Sequence, residues 1–225
     1  MGYIFPSSMM ATLPLCTYTF FTDAQCSSYV ATHYPRAAKA YKGLRAGAFR
    51  ADLFRYVLLY TQGGIWLDIP YGPGHGLQRV EQLIPNGADL VCSIDEPHPR
   101  RGLYQGFIAA KRGNPILRTA IEDVIARVAG KKGAAERSNL GMTGPVALRH
   151  ACERVLGRKV LAGVNAADTS EGRVTVLAYR FTGHPSKGAS GIVDAHGAQL
   201  IDTRAAEDYE RSRLEPHYST MRVRT

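Results

Sequence analysis

The sequence predicts an α/β fold in which helices pack on a mixed central sheet, all within one domain spanning residues 1–225. Three observations carry that expectation. Short β-branched or aromatic runs alternate along the chain with longer segments of helical periodicity. Gly and Pro mark the junctions between them. The 225 residues contain no repeat and no Pro/Gly/Ser linker, and they suffice for a single buried core.

The elements follow in order. Thr17 to Phe21 is rich in aromatic and β-branched residues and predicts a short strand. Asp23 is placed to cap a helix over Ala24 to Thr32, which stops ahead of Pro35. The clearest helix runs from Phe49 to Gln62, where Leu53, Phe54, Val57, Leu58 and Tyr60 recur at three- and four-residue steps. Gly63-Gly64 ends it, and Ile65 to Ile69 forms a short apolar strand halted by Pro70 and Gly72-Pro73-Gly74.

Asp89 to Ile94 and Gly106 to Ala110 read as buried strands. Ile116 to Val128 is a helix with Pro115 at its first turn, where a missing amide donor matters least. Val146 to Leu156 is a further helix and Val174 to Leu177 a further strand, while the last forty or so residues show mixed patterning.

Composition narrows the function. With 45% hydrophobic and 21% charged residues, the chain is that of a folded globular protein. Lys and Arg outnumber Asp and Glu by 28 to 19, so the net charge of +9 draws polyanions, including nucleotide diphosphates and anionic lipid head groups. The basic residues are scattered, and no helix-turn-helix, zinc-finger or RNA-sheet signature accompanies them. A specific nucleic-acid partner is therefore not expected; weak association with a membrane surface is.

Cys16, Cys26, Cys92 and Cys152 show no zinc-ligand spacing and read as free thiols, with a Cys16–Cys26 bridge as the alternative. No apolar run approaches the roughly 18 residues of a membrane span. Pro6 and Pro14 interrupt the apolar start, which has no basic stretch before it. The expectation is a soluble, cytoplasmic protein.

Chemistry concentrates between Arg50 and Asp68. Asp52 and Arg55 are three apart and so share one helix face. Taken alone they read as a surface ion pair. Asp68, however, ends an apolar strand immediately before a Gly/Pro-rich loop, and strand carboxyl ends are where α/β sheets open a crevice for ligands. The Gly63-Gly64 turn folds the helix back beside that strand, so the three side chains are expected to converge.

These residues resemble the DXD-containing sugar transferases of glycosyltransferase family 32, which include yeast-type initiating α-mannosyltransferases and bacterial capsular sugar transferases. The glucosylating clostridial toxins share the same element. The resemblance rests on Ala51-Asp52-Leu53-Phe54-Arg55 followed by Gly63-Gly64-Ile65-Trp66-Leu67-Asp68. It extends weakly through Tyr18 to Asp23, His33-Tyr34-Pro35, Gly106 to Ala110, Gly113-Asn114-Pro115, Thr143-Gly144-Pro145 and His217-Tyr218-Ser219.

The resemblance implies a GT-A-like, Rossmann-like nucleotide-sugar-binding domain, here beginning after the family's first strand or keeping only a vestige of it in Ile4-Phe5-Pro6. It implies a retaining glycosyltransferase that moves a sugar from a UDP- or GDP-sugar donor to a glycan or other hydroxyl acceptor. Asp52 would hold donor-sugar hydroxyls, Arg55 the sugar or diphosphate, and Asp68 the ribose and a Mn²⁺ or Mg²⁺ ion. Gly64 would belong to the same donor-binding element. A carboxylate suits hydroxyl donors and a guanidinium suits phosphate oxygens.

The chain departs from the family where the second DXD carboxylate belongs, because residue 70 is proline. Three outcomes follow. His217, Asp95 or Glu96 could complete the metal site; Arg and Lys could stabilise the leaving group without metal; or the domain could bind a nucleotide sugar or glycan without transferring it. His217 also reads as an ordinary exposed histidine, and Trp66 reads as core, with stacking on a sugar or base as the alternative. No nucleophile is identifiable, so front-face displacement and a covalent intermediate both stay open.

Overall fold

The computed structural model describes residues 16–68, 72–73, 87–95, 102–130, 139–182, 191–193, 197 and 199–202. The first helix, α1 (Asp23–His33), is capped by Thr22 rather than by Asp23. The Thr22 hydroxyl accepts from the Gln25 amide, and the Gln25 side chain accepts from the Thr22 amide at 2.8 Å, a reciprocal capping box.

Thr17 to Phe21 is not a strand. Its β character comes from aromatic rings, and one of these has another use. Phe21 meets Phe54 and Tyr29 edge to face, with centroids 5.1 and 5.9 Å away. Strand propensity of this kind reflects side-chain packing, which here is supplied by helices.

Pro35 does more than stop α1. It occupies the first turn of a second helix, α2 (Pro35–Gly43), which the sequence reading missed. At that position a proline removes an amide that would have no intrahelical partner anyway. Ala37, Ala40 and Tyr41 form its buried face.

The long helix α3 (Gly47–Gln62) begins two residues before the expected Phe49. Its last turn closes when the Gly63 amide donates to the Leu59 carbonyl at 2.8 Å. Gly63 and Gly64 both have positive φ, 74° and 103°. A Cβ on Gly63 would stand 2.7 Å from the Arg112 amide nitrogen, so the turn requires glycine sterically as well as conformationally. The chain then enters β1 (Gly64–Leu67).

The remaining strands are β2 (Gly72–Pro73), β3 (Leu90–Asp95), β4 (Leu103–Ala110), β5 (Gly163–Thr169), β6 (Gly172–Phe181), β7 (Ile192–Val193) and β8 (Gln199–Asp202). They lie in the order β1-β4-β3-β6-β7-β8-β2, with β5 also on β6. The β3–β6 pair is parallel, running from Leu90↔Val176 to Asp95↔Phe181, while the other pairs are antiparallel. The mixed α/β sheet is thus present. Strand β5 escaped notice because Gly163-Val164-Asn165-Ala166-Ala167 lacks an apolar alternation, and its pairing to β6 supplies the order instead.

Helices α4 (Pro115–Val128), α5 (Asn139–Met142) and α6 (Pro145–Leu156) complete the described helices. Asn114 caps α4 by accepting from the Ile116 and Leu117 amides, and its own amide donates to the Asp89 carbonyl at 2.8 Å. Successive residues of β3 and β4 point to opposite faces. Leu90, Cys92, Ile108 and Ala110 join the core beneath the helices, with Leu53, Tyr56, Ile116 and Leu148. Val91, Phe107 and Ala109 join a second cluster with Tyr179, Ile192 and Ile201. Burial on both faces explains why these strands read as unbroken apolar runs.

All four cysteines are free, so the alternative Cys16–Cys26 bridge is absent. Among the described residues, no helix is long and apolar enough to cross a membrane.

Candidate functional site

The site begins on α3, where residues at positions i, i+3 and i+4 project from one side. Asp52, Arg55 and Tyr56 occupy those positions, and all three are buried. The Asp52–Arg55 pair is therefore not the surface ion pair that the two residues alone suggested. Arg55 Nη2 lies 3.4 Å from Asp52 Oδ1 and 3.6 Å from Asp68 Oδ1. One guanidinium thus joins the helix carboxylate to the carboxylate that follows β1.

The three groups differ in access. The Asp52 and Arg55 side chains are 4% and 8% exposed, whereas that of Asp68 is 33% exposed. Asp68 continues the β1–β4 ladder, donating its amide to the Gly106 carbonyl at 2.8 Å. The Trp66 indole N–H donates to Asp68 Oδ1 at 2.8 Å. Arg55 Cζ sits 5.1 Å from the Trp66 ring centroid, within cation–π range. Trp66 packs against the helix core through Phe54, as expected of a core residue, and it also orients a candidate site carboxylate.

Below this layer runs a closed polar ring. The Thr143 hydroxyl donates to Asp52 Oδ2 at 2.8 Å. The Tyr56 hydroxyl donates to the Thr143 carbonyl at 2.7 Å and accepts from the Gln105 side-chain amide. Arg55 Nη1 donates to the Gln105 carbonyl at 2.7 Å, and Arg55 Nη2 returns to Asp52. Every member is buried. Buried polar groups are costly unless their hydrogen bonds are made, and this ring makes five such contacts across α3, β4 and the turn between α5 and α6.

The electrostatics follow from burial. Desolvation pushes the Asp52 carboxyl up to about 6, a rise only partly offset by Arg55 and the Thr143 hydroxyl and reinforced by Asp68. Burial also drives the Tyr56 phenol well above its ordinary value, so it remains a neutral donor.

Gly64 is not brought to the site. It pairs with Ala110 at the far end of β1, about 13 Å from Asp68 at ordinary strand rise. Its contribution is the turn that directs β1 past the helix. Asp95 ends β3 and is buried. Ile69, Pro70, Glu96 and His217 lie outside the described residues.

The described residues do not compose a site for a divalent cation. Asp68 Oδ1 already accepts the Trp66 N–H and faces a guanidinium, and both Asp52 oxygens are engaged. A hard cation instead takes about six or more oxygen ligands, more than these two carboxylates offer by themselves. Among the described residues, no group of three or more His, Cys, Asp or Glu side chains could hold one.

Sequence reasoning singled out neither Tyr56 nor Gln105, and it noted Thr143 only as part of a turn. Tyr56 was legible in principle, one turn beyond Asp52. Gln105 is the polar residue of a buried strand. Nothing local marks Thr143 as a partner of Asp52.

Residues 7–86 match the family described as the glycosyltransferase sugar-binding region containing the DXD motif. Over those residues the chain is similar to the DXD-type glycosyltransferases. Asp52, Arg55 and Asp68 all fall within the matched region, while Gln105 and Thr143 lie beyond it.

Three curated proteins extend the relationship. An initiation-specific alpha-1,6-mannosyltransferase of Candida albicans is 33% identical over 49% of this chain and 34% of its own length. The putative glycosyltransferase HOC1 of Saccharomyces cerevisiae is 28% identical over 44% of this chain and 28% of its own. Inositol phosphoceramide mannosyltransferase 3 of Schizosaccharomyces pombe is 38% identical over 36% of this chain and 25% of its own. The chain therefore spans about a third or less of the length of those proteins. A solved structure, PaToxG Glycosyltransferase, aligns over 56% of the chain and 42% of its own at 18% identity and a TM-score of 0.39, too remote a likeness to inform the site.

Proposed function

We propose that this chain binds a nucleotide-sugar donor, a UDP- or GDP-sugar, at Asp68, with Arg55 and Asp52 beneath it, and transfers the sugar to a glycan or other hydroxyl acceptor with retention of configuration. The observation that carries this reading is the meeting of two carboxylates, one from a helix and one beyond a strand end, on one guanidinium. Asp68 is exposed enough to accept from ribose or sugar hydroxyls. Arg55 supplies fixed positive charge below it for the diphosphate, in a site too dry for water to screen that charge fully. Two of the related proteins are named mannosyltransferases, which favours a mannose-like hexose as the group moved.

A second reading has its own support. Pro70 removes the second carboxylate of the DXD element, and the described residues make no cation site. Binding of a donor or glycan without transfer is therefore the alternative function.

Calorimetric titration with UDP- and GDP-sugars, each with Mn²⁺ or EDTA and with an oligonucleotide control, tests both readings. Donor binding that Asp68→Asn weakens, with release of free nucleoside diphosphate in the presence of an acceptor, supports transfer. Binding without turnover supports the second reading. Response to the oligonucleotide alone refutes both.

A further inference from the structure

We propose that Thr143 is a positioning residue of the donor site, holding Asp52 and through it Arg55 in the geometry that supports Asp68. The inference rests on the donor-binding reading above. It starts from a carboxylate that is almost fully enclosed and has two oxygens to satisfy. Arg55 faces one of them at 3.4 Å, and the Thr143 hydroxyl donates to the other at 2.8 Å. Without that hydroxyl, Oδ2 would lose its donor in a place too dry for a ready substitute, and the carboxylate would turn toward Arg55.

Thr143 is itself held from several sides. Its carbonyl accepts from the Tyr56 hydroxyl, one helical turn beyond Asp52. The preceding carbonyl, that of Met142, accepts from Arg127 Nη1 at 3.3 Å. Gly144 follows directly, and a Cβ there would lie 3.2 Å from the Leu140 carbonyl oxygen and 3.6 Å from Asp52 Oδ2, so the turn presses close to the carboxylate. A residue in a turn beyond the matched sugar-binding region therefore completes a site inside it.

The experiment compares the full chain with Thr143→Ser, Thr143→Val and Tyr56→Phe. Affinities for UDP- and GDP-sugars are measured by calorimetry and thermal midpoints by circular dichroism. Ile121→Val, a buried apolar position of α4 that makes none of the ring's hydrogen bonds, serves as a control for simple destabilisation. Thr143→Val should weaken donor binding about tenfold, the loss expected when a charged partner is left short of a hydrogen bond. Thr143→Ser should bind within about twofold of wild type, because it keeps the donor. Tyr56→Phe should move in the same direction as the valine variant, and it serves as the test if Thr143→Val does not fold. Ile121→Val should lower the midpoint without changing affinity.

The assignment is overturned if Thr143→Val binds donor like wild type, or if Thr143→Ser is as impaired as Thr143→Val. It also falls if Ile121→Val loses affinity in proportion to its midpoint. A wild-type chain that binds no donor sugar instead sinks the underlying donor reading, which distinguishes the two failures.

Discussion

Trp66 donates its indole N–H to Asp68 at 2.8 Å while its ring lies beside the Arg55 guanidinium. A residue that reads as strand core is thus also the hinge between the cation and the exposed carboxylate. Trp66→Phe keeps an aromatic ring against Phe54 but removes the N–H. Donor affinity should fall about tenfold or somewhat more, the low end of the range for one lost hydrogen bond to a charged group. Unchanged affinity by calorimetry would show that Asp68 needs no such orientation.

Arg55 stands between two carboxylates in a buried site, so removing it strands at least one negative charge. Arg55→Met should destabilise the fold by about 3–5 kcal/mol, the range for breaking one side of a buried pair. Adding Asp52→Asn should recover part of that loss, because the uncompensated charge disappears with it. Urea denaturation measures both effects. A single-variant loss below about 1 kcal/mol would place the pair effectively in solvent.

Burial raises the Asp52 carboxyl from 3.8 to about 6. Between those values the folded chain holds a proton that the unfolded chain has released. Asp52 therefore favours folding most below about pH 3.8, and that contribution is lost as pH rises through 6. The stability difference between wild type and Asp52→Asn should change by roughly 2–3 kcal/mol between pH 4 and 7, moving against wild type as pH increases. Donor binding should run the other way and weaken below pH 6, where Asp52 takes up its proton. A flat stability difference over that interval would contradict the buried, raised carboxyl.

Gly102 has a φ of 95°, and a Cβ there would collide with the Pro145 carbonyl where α6 begins. Gly102→Ala should therefore cost about 2 kcal/mol or more, since backbone strain and overpacking act together. The same shift should disturb the neighbouring Thr143 turn and lower donor affinity. A thermal midpoint equal to that of wild type would refute the close approach.

Pro70 offers a gain-of-function comparison. Pro70→Asp restores a carboxylate two residues beyond Asp68, the spacing that puts alternate side chains of an extended chain on one side. Mn²⁺ should tighten donor binding to this variant by about tenfold more than it does for wild type, as a pair of hard oxygen ligands predicts. Equal Mn²⁺ dependence in titrations of the two proteins would count against a lost metal ligand at this position.

Much of the architecture was legible because periodic burial leaves a local trace. Phe49 to Gln62 was readable as a helix, and the β3 and β4 segments as strands, because their apolar steps match 3.6- and 2-residue periods or full burial. Failures came where the local signal had two readings. Pro35 reads as a stop, yet it opens α2. Thr17 to Phe21 looks like a strand, yet no strand among the described residues pairs with it. For β5, order comes from its pairing to β6 rather than from its own composition.

By itself, the sequence determined that Asp52 and Arg55 share a helix face, that glycines turn the chain sharply after that helix, and that Asp68 ends the next strand. Those facts depend on spacing along the backbone, which each residue carries with it. Only the tertiary structure decided that the pair is buried rather than solvated, that Trp66 and Arg55 share Asp68 Oδ1, and that Thr143, 91 residues from Asp52, supplies the missing donor. Burial and hydrogen-bond completion are properties of the neighbours a folded chain brings together, and no stretch of local sequence states who those neighbours are.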